Sequence, residues 1–230
     1  MHLLSKNYAM ATSSTISTPS KLRTTDVAYQ MLENMIVTLQ LKPGAPIIEA
    51  DLIDKTELGR TPIREALMRL SSNGLITQMP RRGLIVKDIE LAEHLTLIET
   101  RGVLENLIAT SAARRAPPQL RQTILECGQQ MVMAAQAGDL SEFMLADHAL
   151  DLVVHEASRN PSAVSAVVPL IIKCRRFWYA FQHEGDMIES ARCHMVLAQG
   201  IADANEEEAA NGVKVLMAYL EAYTRQVING

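Results

Sequence analysis

Residues 59–70 read Gly59-Arg-Thr-Pro-Ile-Arg-Glu-Ala-Leu-Met-Arg-Leu70. Ile63, Leu67 and Leu70 recur at three- and four-residue spacing, which predicts a helix with one apolar stripe. Pro62 suits its first turn, because the amide that proline removes has no partner there. Arg60, Thr61 and Arg64 fall off the stripe near the helix N-terminus, with Arg69 beside the stripe. Basic and small polar groups at that end meet phosphates and base edges when a helix enters the major groove of DNA. Arg60 and Arg64 share a face, and either can grip guanine bidentately or hold phosphate. Asn73-Gly74 predicts the stop.

The flanks complete a module. Val27, Met31, Leu32, Met35, Ile36 and Leu39 predict a helix over 24–40, and Lys42-Pro43-Gly44 breaks it. A short helix over 49–56 follows, with Leu52 and Ile53 apolar. Downstream, Leu75–Gln78 and Leu84–Lys87 flank Met79-Pro-Arg-Arg-Gly83, a hairpin with a basic tip. Arg81 and Arg82 are placed to lie over a DNA backbone or minor groove, and Gly83 permits close approach. Three helices and a hairpin over 22–88 form a winged helix-turn-helix.

Residues 1–21 are small and polar and are expected to be a disordered tail. From 89 to 230 the pattern is all-helical, with helices expected near 90–115, 118–137, 140–158, 161–181, 187–204 and 206–228. Asp139-Leu-Ser-Glu142 is a capping box, and Asn160-Pro161 is an N-cap followed by a first-turn proline. The fold class is therefore mainly α: a winged helix-turn-helix, then a bundle of about six helices.

Composition agrees. The 230 residues are 48% hydrophobic but only 4% aromatic, which argues against a sandwich or barrel and against global disorder. No apolar run reaches membrane-spanning length and no secretory signal opens the chain, so a cytoplasmic protein without membrane contact is expected. Cys127, Cys174 and Cys193 show no metal-ribbon spacing and read as reduced thiols. The net charge of −4 hides an asymmetry: residues 21–88 carry +2 and residues 89–230 carry −7. The acidic back part disfavours sequence-independent DNA packaging, which relies on phosphate neutralisation.

The stretches Leu41–Glu49 and Arg60–Leu67, with Leu70, Gly74-Leu75 and Arg82-Gly83, resemble the GntR family of bacterial transcription regulators. The helical part resembles the ligand-binding domain of the FadR subgroup, and together the resemblance spans about 22–228. It implies a homodimer that binds a double-stranded DNA operator, with affinity set by a small effector, a carboxylate among the candidates. On family grounds a repressor is expected over an activator. Two departures stand out: Gly59 takes the place of the usual Ser or Thr cap, and Ala50 that of a frequent Arg.

Charged residues also interrupt the apolar helices of the back part. Arg101 and Glu105 lie four apart on one helix, Asp147 and Asp151 four apart on another, and His194 on a third. Ionised groups there must pair or bind something. A carboxylate pair with a histidine from another helix can hold one divalent ion, with Asp147, Asp151 and His194 as ligands. The resemblance implies such a site but expects histidine where Asp151 stands, and a last histidine near Tyr219. Oxygen ligands favour Mn, Mg or Ca. His148 and His155 flank the same helix as substitutes or surface residues. Arg101 is expected either to anchor a carboxylate effector or to pair with Asp147 or Glu105. Met131, Met133 and Met144 read as core, and Arg175–Trp178 as cavity lining or helix-end packing. The rivals are a metal-free acyl-CoA-type sensor and a helical metalloenzyme using Glu105 or His155 as base, although no nucleophile–base pair or catalytic motif is present.

Overall fold

A computed structural model describes residues 23–183 and 186–230. The expected tail over 1–21 lies outside them. Helix α1, Thr24–Val37, buries Ala28, Tyr29, Leu32, Ile36 and Val37. It stops short of residue 40 because Leu39 turns left-handed and the Thr38 hydroxyl donates to the Asn34 carbonyl. Helix α2 is Glu49–Thr56, and α3 is Arg60–Ser72. Ile63, Ala66, Leu67 and Leu70 of α3 pack inward, chiefly onto α1. Strands β1, Ile76–Met79, and β2, Gly83–Val86, pair antiparallel with Ile76 opposite Val86.

The wing has a third edge that the sequence pattern did not announce. The amides of Gly44 and Ile47 donate to Val86 and Leu84, and Val86 donates back to Ala45. Pro46 bridges Ile85, and a proline is tolerated there because an edge needs one donor fewer.

Six helices follow: α4 His94–Arg115, α5 Pro118–Ala137, α6 Leu140–Ser158, α7 Pro161–Phe181, α8 Asp186–Ala202 and α9 Glu206–Asn229. The caps at Asp139 and Asn160 form as expected, accepting from the amides of Glu142 and Ala163. Asn205 adds a third, accepting from Glu207 and Glu208. Helix α4 begins at His94, later than the expected 90, where its amide closes a turn onto Leu91. Helices α8 and α9 meet at Gly212, where a Cβ would stand 2.5 Å from the Cα of Leu197, so only glycine allows this approach. Helix α7 is the link between the two parts: it packs on α4 of the bundle and on α1 of the winged module.

Candidate functional site

Two groups of polar residues result. The first is a surface. Arg60, Thr61 and Arg64 are exposed on the outer side of α3, with Pro62 half-buried between them. Gly59 offers no side-chain cap, so the α3 N-terminus keeps free amide donors. Arg64 donates to Glu49 at 2.8 Å, a pair open to solvent on both sides. Arg81, Arg82 and Gly83 are exposed at the wing tip, where Arg81 and Gly83 both take positive φ. Arg69, the remaining arginine of the expected DNA-contacting helix, is also exposed. Its guanidinium donates to Asp26 at 2.8 Å and lies 4.0 Å over the Tyr29 ring, which ties α3 to α1.

The second group is buried. Arg101 donates to Glu105 at 3.0 Å along α4, and both are almost inaccessible. This is one of the two pairings left open for Arg101; it does not pair with Asp147. The partner of Asp147 is Arg175, whose Nε donates to its carboxylate at 2.7 Å. The same guanidinium donates to the Met144 carbonyl at 3.1 Å, to His148 Nδ1 at 3.1 Å and to Glu33 of α1 at 3.4 Å. Glu33 stands beside Tyr29, whose hydroxyl accepts from Asn73 at the end of α3 at 2.7 Å. A polar path therefore runs from the end of the α3 helix to the middle of the bundle.

Electrostatics separate the two carboxylates on α6. Burial raises the pKa of Asp147, but the Arg175 guanidinium outweighs this and holds it below the usual range. Asp151 is raised well above that range, first by burial and then by the charges of Asp147 and Glu105. Its Oδ2 has no partner among the described residues. Burial, reinforced by Arg175, lowers His148 to about 3. Burial also lowers His155 and His194. His194 Nδ1 lies 2.8 Å from the Ser190 carbonyl, which can only accept, so the neutral ring carries its proton there. Its Nε2 lone pair then faces Asp147 Oδ1 at 3.4 Å.

The expected set of Asp147, Asp151 and His194 does not fit a divalent ion. Among the described residues no three His, Cys, Asp or Glu side chains converge in metal-holding geometry. Arg175 already takes a carboxylate oxygen of Asp147, and burial with the charges of Asp147 and Glu105 disfavours the ionised Asp151 that a metal ligand requires. Tyr219, the expected fourth position, accepts from Trp178 Nε1 at 2.8 Å and donates to the Asp186 carbonyl, so it ties α9 to α7 and α8. His148 and His155 are half-buried on α6. Met131 and Met144 are core, while Met133 is exposed. The sequence reading missed Arg175 as the central cation; an arginine in the apolar run Val164–Phe181 was the available signal.

Residues 24–86 match the gntR family of bacterial regulatory proteins, and residues 96–218 match the FCD domain. The chain belongs to the FCD-domain branch of the GntR regulators. Members of this family are transcription regulators, not enzymes, which removes the metalloenzyme alternative. The GntR chain described here is 26% identical to the Nta operon transcriptional regulator of Aminobacter aminovorans, over 84% of this chain and 90% of that one. It is 30% identical to the HTH-type transcriptional repressor RspR of Escherichia coli K12 over 41% of this chain and 40% of that one. Among solved structures, E. coli McbR/YncC shares the fold with a TM-score of 0.77 at 20% identity, covering 90% of this chain and 99% of that one. No helix among the described residues of this regulator is long and apolar enough to cross a membrane.

Proposed function

We propose that this GntR-family chain is a cytoplasmic, homodimeric repressor whose operator affinity is set by a small organic acid bound in the helical bundle. The observation that carries the DNA-binding half is the exposed Arg60, Thr61 and Arg64 on α3 beside the basic wing tip of Arg81 and Arg82. The natural division lies near residue 88, between wing and bundle. A two-fold dimer reads a near-palindromic site. Dimerisation draws support from Val103 and Leu107, a turn apart on α4, 71% and 46% exposed. The repressor reading draws on the name carried by RspR.

The acid class follows from the bundle centre. Arg101 and Arg175 are buried guanidiniums whose present partners are carboxylates, and a ligand carboxylate can replace either partner. Of the facing acceptors His194 Nε2 and Asp147 Oδ1, one can take the single proton of a hydroxyl on the same ligand. Because Arg175 holds Asp147 and Glu33 together, such an exchange alters the grip on α1 and so the placement of α3. By reciprocity the operator alters effector affinity equally.

Selection from a random duplex library supplies an operator, and gel-shift titration then tests the assignment. Arg64→Ala is expected to weaken binding and leave dimerisation intact; unchanged affinity sinks the α3 assignment. Glu33→Gln is expected to keep effector-free DNA binding and blunt the response to an effector found by carboxylate screening. A full response in that variant rules out coupling through Arg175.

A further inference from the structure

A second polar site lies outside both groups. Between the turn after α3 and helix α7 is a cavity of about 70 Å³, lined by Gly74, Lys87, Asp88, His94, Lys173 and Arg176 among others. Arg176 is 3% exposed, yet its Nε and Nη2 have no hydrogen-bond partner among the described residues. A guanidinium does not give up its proton in a protein, so this is a buried positive charge without a counter-charge in bonding contact. Its neighbour Lys173 makes no ion pair among the described residues. Lys173 Nζ lies 3.5 Å from where a side chain on Gly74 would begin. Gly74 has φ +73°, so the turn both requires glycine and leaves room for the ammonium.

The acids nearby do not satisfy these cations. Asp88, Glu90 and Glu93 are exposed at the rim, where water screens them. Glu90 is already 3.7 Å from Lys87. Asp88 is felt by Arg176 but does not bond it. His94 adds no charge at pH 7: burial, and then Arg101, lowers it to about 4, and its ring stacks on Phe177 at 3.8 Å. A planar guanidinium fork beside a point-charge ammonium is the chemistry that binds carboxylates and phosphates.

We propose that this cavity at the junction of the winged module and the bundle binds a compact oxyanion, phosphate or an acetate-sized carboxylate, held by Arg176 and Lys173. The anion bridges α7 to the turn that ends the α3 helix. Its place is distinct from the Arg101–Asp147 centre, so the two sites are separable by mutation.

The test is calorimetric titration of the full chain with inorganic phosphate, and separately with acetate, against chloride at matched ionic strength. Saturable binding of at least one anion at one per chain is expected. Arg176→Met is expected to abolish it, and Lys173→Met to weaken it by about tenfold. If Arg176→Met does not fold, Lys173→Met, on a half-buried side chain, decides the matter. Binding of neither anion overturns the proposal, as does binding that Lys173→Met leaves at wild-type strength.

Discussion

Arg64–Glu49 on the exposed side of α3 and Arg175–Asp147 inside the bundle are almost the same contact, at 2.8 and 2.7 Å. They do different work because their surroundings differ. The surface pair sits in water, where its attraction is screened and either partner leaves freely. Arg64 can therefore trade Glu49 for a phosphate or a base. The buried pair has no water to fall back on, so removing one member strands the other. Arg175 is further fixed by Met144, His148 and Glu33. One region keeps its charges available, and the other keeps them committed.

Four measurements can break or sharpen that contrast. The largest effect is expected for Arg175→Met, which leaves Asp147 and Glu33 uncompensated. A loss of about 3–5 kcal/mol is expected by denaturant unfolding. Adding Asp147→Asn and Glu33→Gln should recover much of it, and a triple variant as unstable as the single one contradicts the stranded-charge account. Next comes Arg60→Ala with Arg64→Ala. Each lost contact is expected to cost about 1–3 kcal/mol of operator binding where it reads a base. The salt dependence of affinity should flatten if they hold phosphate instead.

A smaller effect tests the α6 carboxylates. The folded pKa of Asp151 is raised, so the folded state holds a proton that the unfolded state releases above about pH 4. Stability falls as pH rises from there towards the folded pKa. Asp151→Asn removes that loss, so its melting temperature should exceed wild type at pH 7–8 and converge near pH 4. A gain of about 2–4 °C corresponds to roughly 1 kcal/mol. Asp147 has the opposite sign: its pKa is depressed, so its stabilisation is present above about pH 4 and lost on acidification below it. The smallest effect is expected for Glu49→Gln. Stability should change by less than about 0.5 kcal/mol, while freeing Arg64 should tighten operator binding slightly at low salt. A large loss of stability there would erase the difference between the two pairs.

Much of this was legible in order along the chain. The apolar stripe Ile63, Leu67 and Leu70, the caps Asp139 and Asn160, and the hairpin around Pro80–Gly83 each depend on residues within a few positions of one another. The gntR match spans residues 24–86 and the FCD match residues 96–218. The failures share a different feature. Gly44–Ile47 joins the wing through bonds to residues about forty positions away. Arg69 lies in the last turn of α3, and Asp26 and Tyr29 of α1, about forty positions away, hold its guanidinium.

What the sequence by itself determined is the set of local elements, the outward-facing arginines at a helix start, and the presence of too many charges for an apolar bundle. Periodicity, capping and turn chemistry act over a few residues and survive in one dimension. Which charge meets which was decided only by the tertiary structure. Arg175 reaches Asp147 across 28 positions and Glu33 across 142. Arg176, its immediate neighbour, turns instead into a separate cavity without a bonded partner. Adjacent residues on a helix point about 100° apart, so the packing of α7 between the bundle and α1 assigned the two arginines to different sites.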